Sequence, residues 1–362
     1  MKVAIVGLDL AGKTTLFHAL TRGQAAAGAA GRADRSLVAV VEVPDQRMDA
    51  LVEMYQPRKV APAAVEFVDG AGTATTGEKS RFGPQFLTDV RASDALVHVI
   101  RAFENPAAPV ERPLDPLADA KQLAYELILT DLDLVEKRLE RLEKQAKGRP
   151  KAAAGTPEAE VLARLRDHLE SELPVAAMAL SSQEREGIQH LEFLSDKPLV
   201  LVANIAEEEL GGADGPLLAP LREHAERTRT PLLDVCAKVE AEVAQLPPEE
   251  EQTFLEALGI EKSGRYRLIR TVYDLLGLIS FFTVGEDEVK AWTIRRGDNA
   301  VTAAGKIHSD LARGFIRAEV IPYEALLAAG SEKAARAAGH YRLEQKSYVV
   351  KDGEILHVRF SV

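Results

Sequence analysis

Gly7-Leu8-Asp9-Leu10-Ala11-Gly12-Lys13-Thr14 places two glycines, a lysine and a threonine at Gly-x-x-x-x-Gly-Lys-Thr spacing, directly after the apolar run Val3-Ala4-Ile5-Val6. These residue types suit a polyphosphate. Glycines let the backbone turn tightly, so that successive N–H groups face phosphate oxygens. Lys13 offers a compact positive charge to the β- and γ-phosphates. The Thr14 hydroxyl is a candidate Mg²⁺ ligand. Asp9, Leu10, Ala11 and Gly12 supply the loop, Thr15 follows, and a helix beginning near Lys13 turns its positive end to the same anion.

Asp69-Gly70-Ala71-Gly72 ends a second apolar run, Val65-Glu66-Phe67-Val68, about 55 residues further on. An Asp-x-x-Gly there is placed to serve the same ligand. Asp69 would hold Mg²⁺, through water, and the Gly72 N–H would sense the γ-phosphate. Lys13, Asp69 and Gly72 are thus the candidate catalytic groups, and Thr14 and Asp69 the candidate metal ligands. Asn204-Ile205-Ala206-Glu207 follows the run at 198–203, where a GTP-binding protein carries Asn-Lys-x-Asp to read guanine. No lysine stands beside the asparagine, and the acid is Glu207, one methylene longer. These residues favour adenine, with guanine left open. Cys236-Ala237-Lys238, after the next apolar run, occupies the loop that would back the base. His18 and His98 each lie in an apolar element and read as packed histidines.

Strands and helices must alternate to bring these loops together. Apolar runs at 38–43, 65–69, 95–100, 198–203 and 231–235 read as strands of a mostly parallel sheet covered on both faces. Residues 23–36 carry no periodicity and read as a mobile loop. Tyr125, Ile128, Leu132, Val135, Leu139 and Leu142 form a heptad seam. Thr156-Pro157 reads as a helix start ahead of the stripe Leu162, Leu165, Leu169. Together they predict an antiparallel helical hairpin with the basic tip Lys144, Lys147, Arg149, Lys151. From about residue 277 the segments become short and alternating, as in a small α+β module. Asp352-Gly353 predicts a type I′ turn in its last hairpin, with Leu356, Val358, Phe360 and Val362 on one face. The expected division is a nucleotide-binding domain over 1–118 and 195–276, a helical insertion over 119–194 and the α+β module over 277–362.

Composition narrows the partners. The 362 residues carry a net charge of −11, which argues against wrapping duplex DNA. Cys236 is the single cysteine, as suits a reducing cytoplasm. No apolar run reaches the roughly 20 residues that span a bilayer, and the N-terminus enters a strand with no leader-like segment. The expectation is a soluble cytoplasmic chain, monomeric, without membrane or DNA partners.

Taken together the motifs resemble the YchF / Obg-like ATPase family of phosphate-loop NTPases. Pro44-Asp45-Gln46-Arg47-Met48-Asp49 is similar to that family's Pro-Asp-x-Arg-Leu-Asp segment. Glu66-Phe67-Val68-Asp69 with Gln85-Phe86-Leu87-Thr88, and then Phe103-Glu104-Asn105, match its third-motif region. Asn204-x-x-Glu207 is similar to its altered base motif, associated with ATP over GTP. Ala291-Trp292-Thr293-Ile294, Ala304 to Asp310, Gly314 to Ala318 and Tyr348 to Gly353 resemble its C-terminal signature. The resemblance covers essentially the whole chain. It implies an α/β phosphate-loop fold with an inserted helical hairpin and a ubiquitin-like TGS domain, Mg²⁺ with ATP (or GTP) as ligands, slow hydrolysis, and a ribosome or RNA partner. Lys147, Arg149, Lys306, His308, Arg313 and Arg317 are candidates for that partner. An alternative is a ribosome- or RNA-binding module whose nucleotide only sets conformation. The chain also departs from the family. Asp9-Leu10-Ala11 replaces Pro-Asn-Val and is more like the loop of Arf-type GTPases. Gly31 to Leu37 replaces the usual first switch, and Thr73 stands where a hydrophobic residue is expected.

Overall fold

The apolar runs of the first half become parallel strands because β-branched and aromatic side chains fill both faces of a covered sheet. The computed structural model describes residues 1–23, 36–70, 82–107, 113–145, 156–211 and 215–361. Among them the strands are β1 (Lys2–Val6), β2 (Leu37–Glu42), β3 (Lys59–Ala61), β4 (Ala64–Asp69), β5 (Ala95–Ala102), β6 (Leu199–Ile205), β7 (Leu232–Val235), β8 (Leu278–Thr283), β9 (Glu288–Arg295), β10 (Phe315–Pro322), β11 (Arg342–Glu344) and β12 (Glu354–Phe360). The chain folds into two compact units, residues 1–39 with 66–265 and residues 40–65 with 266–362.

The first sheet has the order β2-β4-β1-β5-β6-β7. The run from β4 through β1, β5 and β6 to β7 is parallel throughout. Every residue of β5 is buried. Parallel strands deliver their carboxyl ends to one edge, and loops there form the ligand crevice of such sheets. The phosphate loop leaves β1, Asp69 closes β4, Asn204 lies near the end of β6, and Cys236 follows β7.

The helical hairpin is present as Pro116–Gln145 and Pro157–Glu170. Thr156 caps the second helix by accepting from the Ala159 N–H at 3.3 Å. The seam begins later than expected. Tyr125 is 42% exposed, because this end of the helix turns Leu123 and Leu127 onto Val6, Phe86 and Leu96 of the sheet layer. From Ile128 on, the same helix packs against Val161, Leu162, Leu165 and Leu169. Asp131, fully buried, pins the hairpin base. Its carboxylate accepts from the N–H groups of Leu194 and Ser195 and from the Ser195 hydroxyl, at 2.7–2.9 Å. The tip residues Lys147 and Arg149 lie outside the described residues.

The second unit holds the sheet β11-β10-β12-β8-β9-β3. Antiparallel β8 and β9 lead to a helix at Ala300–Ile307, and β12 returns parallel to β8, as a ubiquitin-like α+β fold requires. Ala300, Ala303 and Ala304 let that helix sit close on Phe281, Ile294, Val320 and Leu356. An early segment joins this unit. The Asp45 side chain caps the helix Gln46–Tyr55, and β3 pairs with β9. Arg47 fastens it, bonding Asp45 at 2.7 Å and Asp352 at 3.0 Å with its guanidinium over the Phe282 ring.

The turn at Asp352-Gly353 corrects the expected type I′ hairpin. Of the two, only Gly353 has positive φ (84°), whereas type I′ needs both. β11 and β12 do not pair with each other, since each is bonded to β10. The turn instead joins β12 to β8, with Gly353 N–H on the Ser280 carbonyl at 2.8 Å and Asp352 accepting from Ser280 N–H at 2.9 Å. Leu356 and Val358 reach the core as expected, while Phe360 is 46% exposed and Val362 is outside the described residues.

Candidate functional site

The loop's shape comes from its glycines. Gly12 has φ 93°, and a Cβ there would run into the Asn204 amide. At Gly7 a Cβ would meet the Val99 carbonyl oxygen. Leu10 also takes the left-handed region, with φ 66°. Ala11 is buried beneath the turn, and Asp9 and Leu10 are exposed on it. The helix Lys13–Thr21 then starts at once, with Thr14 and Thr15 exposed in its first turn.

Lys13 folds back over the loop. Its Nζ donates to the Leu8 carbonyl at 2.9 Å and lies 4.0 Å from Asp9 Oδ1. Thr14 Oγ1 donates to Asp69 Oδ2 at 2.7 Å. The two candidate metal ligands are therefore adjacent, Thr14 in the first turn of the helix after β1 and Asp69 at the end of the neighbouring strand β4. Burial raises the Asp69 carboxyl above its ordinary pKa, against the opposing pull of the Thr14 hydrogen bond and the Lys13 charge. Two oxygen donors at one point, one of them a carboxylate, suit Mg²⁺ completed by phosphate oxygens and water. Among the described residues no cluster of three or more His, Cys, Asp or Glu could hold a metal by itself. Gly72 lies outside the described residues, as do the switch positions 24–35 and 71–81.

At the other end of the crevice Asn204 is 5% exposed and both ends of its amide are engaged. Nδ2 donates to the Ala11 carbonyl at 2.9 Å, and Oδ1 accepts from the Ala237 N–H at 2.9 Å. It is a strut between the phosphate loop and the loop after β7. Ile205 is buried, as are Cys236 and Ala237. Burial raises the Cys236 thiol pKa, so it stays a neutral packing group. Glu207 is exposed and pairs with Lys238 at 3.1 Å. Lys238 holds its proton more tightly for this, chiefly through its hydrogen bond to Glu207.

Sequence reading missed Glu240. Its carboxylate accepts from the N–H groups of Gly264 and Arg265, at 2.6 and 3.0 Å, while Arg265 Nε donates to the Leu20 carbonyl at 3.0 Å. Gly264 and Arg265 are thus tied both to the helix Ala237–Val243 after β7 and to the helix that follows the phosphate loop. No periodicity marks a single glutamate for this. His98 is buried as expected, with Nε2 lacking a hydrogen-bond partner among the described residues. Burial, reinforced by the Lys13 charge, holds its pKa down to about 3. His18 differs from expectation in being exposed, on the outer face of its helix.

In the second unit Lys306, His308, Arg313 and Arg317 are all exposed. Arg313 lies 2.7 Å and His308 3.6 Å from Asp310, so two of the four face the same carboxylate.

A family profile described as a 50S ribosome-binding GTPase matches residues 2–131, and the profile of the YchF GTPase C-terminal domain, described as a protein of unknown function, matches residues 278–361. The chain is 43% identical over 368 residues to the ribosome-binding ATPase YchF of Bacillus subtilis, covering 100% of both proteins. It is 41% identical over 364 residues to the protein of the same name in Haemophilus influenzae, covering 100% of this chain and 99% of the relative. The chain belongs to the YchF family. The fold agrees with that assignment. The solved YchF GTPase of Schizosaccharomyces pombe superposes with a TM-score of 0.85 at 32% identity, over 99% of this chain and 97% of that one. Within the family frame, Lys13, Thr14 and Asp69 occupy one crevice, while Asn204 joins its two ends. No helix among the described residues is long and apolar enough to cross a membrane.

Proposed function

We propose that this YchF-family chain is a cytoplasmic, Mg²⁺-dependent ATPase that hydrolyses slowly and associates with the ribosome. The observation that carries the catalytic part is the pairing of Thr14 with Asp69 beside an inward-folded Lys13. Phosphoryl transfer needs positioning and charge neutralisation more than a strong base. Lys13 leaves the Leu8 carbonyl to take the β- and γ-phosphates, and the loop amides of residues 9–15 hold the remaining oxygens. Thr14 and Asp69 would hold Mg²⁺, which supplies neutralisation of the charge on the transferring group. Neutral His98 lies in the sheet near Lys13 and brings no second positive charge.

Adenine is favoured over guanine because Asn204 is already committed to Ala11 and Ala237, and Glu207 is turned to Lys238. The relatives' name, ribosome-binding ATPase, supports the ribosome as partner. Phosphate release from purified protein, compared with Lys13→Ala, tests turnover; equal rates would reject catalysis through this loop. Co-sedimentation with ribosomes at several salt concentrations tests the partner. Binding that ignores nucleotide and survives Lys13→Ala would favour the conformational-ligand reading instead.

A further inference from the structure

Asp9 is the one loop residue whose charge opposes the ligand, and the structure shows where that charge goes. Its carboxylate lies 4.0 Å from the Lys13 ammonium, which at the same time donates to the Leu8 carbonyl. The Lys13 side chain is 11% exposed and that of Asp9 56% exposed, so the ammonium sits in the loop and the carboxylate at its mouth. We propose that Asp9 is a specificity-determining residue that competes with the terminal phosphate for Lys13 and so biases this site against metal-free triphosphate. The inference rests on the phosphate-loop reading above.

One ammonium has two anionic claimants. When a nucleotide enters, Lys13 turns to phosphate and the Asp9 carboxylate is left facing the same oxygens. The penalty scales with charge at the phosphate tail. A triphosphate without metal carries the most negative charge there, a diphosphate carries less, and Mg²⁺ between the phosphates reduces it further. Asp9 therefore disfavours free ATP most, ADP less and Mg-ATP least. Asp9→Asn keeps shape and removes charge.

Calorimetric titration of the full chain with ATP, ADP and Mg-ATP, for wild type and Asp9→Asn, tests this. The expected result is free ATP tightening about fivefold, the size of one like-charge contact largely screened by water. ADP should gain less than about twofold, and 0.5 M salt should shrink the difference. Asp9→Glu, which keeps the charge, should not show the gain. Equal tightening for ATP and ADP, or none for free ATP, overturns the role of Asp9 while leaving the loop's function intact. Failure of wild type and variant alike to bind any of the three overturns the loop reading, and this inference with it.

Discussion

The two ends of the crevice are built on different principles. At the phosphate end, backbone geometry and buried side chains converge. Glycines without room for a Cβ, a lysine drawn into the loop and a threonine bonded to a buried aspartate leave few alternative arrangements. At the base end, the asparagine that would read a base is used as a strut, and the neighbouring acid is exposed and paired with lysine. The difference teaches that the phosphate end is set by loop backbone and converging side chains, whereas the base end offers only a solvated ion pair, too weak to be a strong selector. Preorganised groups cost little reorganisation on binding, so affinity is concentrated where the structure is already set.

The largest effect should come from the phosphate end. Lys13→Ala should weaken Mg-ATP binding about 100-fold, the scale of losing more than one charge-assisted hydrogen bond, measured by titration calorimetry. A loss under tenfold would mean the loop is not the main anchor. Asn204 joins the two ends, and Asn204→Ala should cost about 2 kcal/mol of folding stability, because the Ala11 carbonyl and Ala237 N–H lose buried partners. Urea unfolding checks it, and an unchanged midpoint would show the strut to be dispensable.

His98 reports on the dry layer behind Lys13. A folded-state pKa of about 3 lies below the unfolded value near 6.5, so its contribution to stability is present above pH 6.5 and is lost as pH falls toward 3. The slope should be about 1.4 kcal/mol per pH unit between pH 6 and 5. His98→Leu should flatten that slope by about one proton's worth, as read from urea midpoints across pH. The smallest effect belongs to the base end. Glu207→Gln and Lys238→Met should each change the ATP-to-GTP affinity ratio by under about threefold, as exposed ion pairs do. A shift of 100-fold would make this pair the selective element and reverse the contrast between the ends.

Much of this was legible in the residue order. Fixed spacing announced Lys13 and Thr14, and the strand before Asp69 announced its partner, because adjacent parallel strands must end at the same edge. Hairpin helices followed from their periodicity. What the order hid was long-range. Asn204 reads only as a base ligand in the residue order, and its work as a strut shows once its two partners, far apart in the chain, are seen. Tyr125 fits a heptad that the sheet layer overrides. Asp352-Gly353 carries a strong local turn signal, yet the pairing of β12 with β8 decides the turn. Arg47 was visible only as part of a resemblance, because its partner, Asp352, is more than 300 residues away.

That last arrangement bears on how the protein is made. Residues 40–65 belong to the same unit as 266–362, and the sheet partner of β3 begins at Glu288. A chain emerging amino end first exposes Lys59–Ala61 long before that partner exists. Domains ordinarily fold as they are synthesised, but this segment waits unpaired through more than 200 further residues. The shortness of its strand and the charges of Lys59 within it and Arg58 beside it are the features that keep such an edge from pairing with another nascent chain.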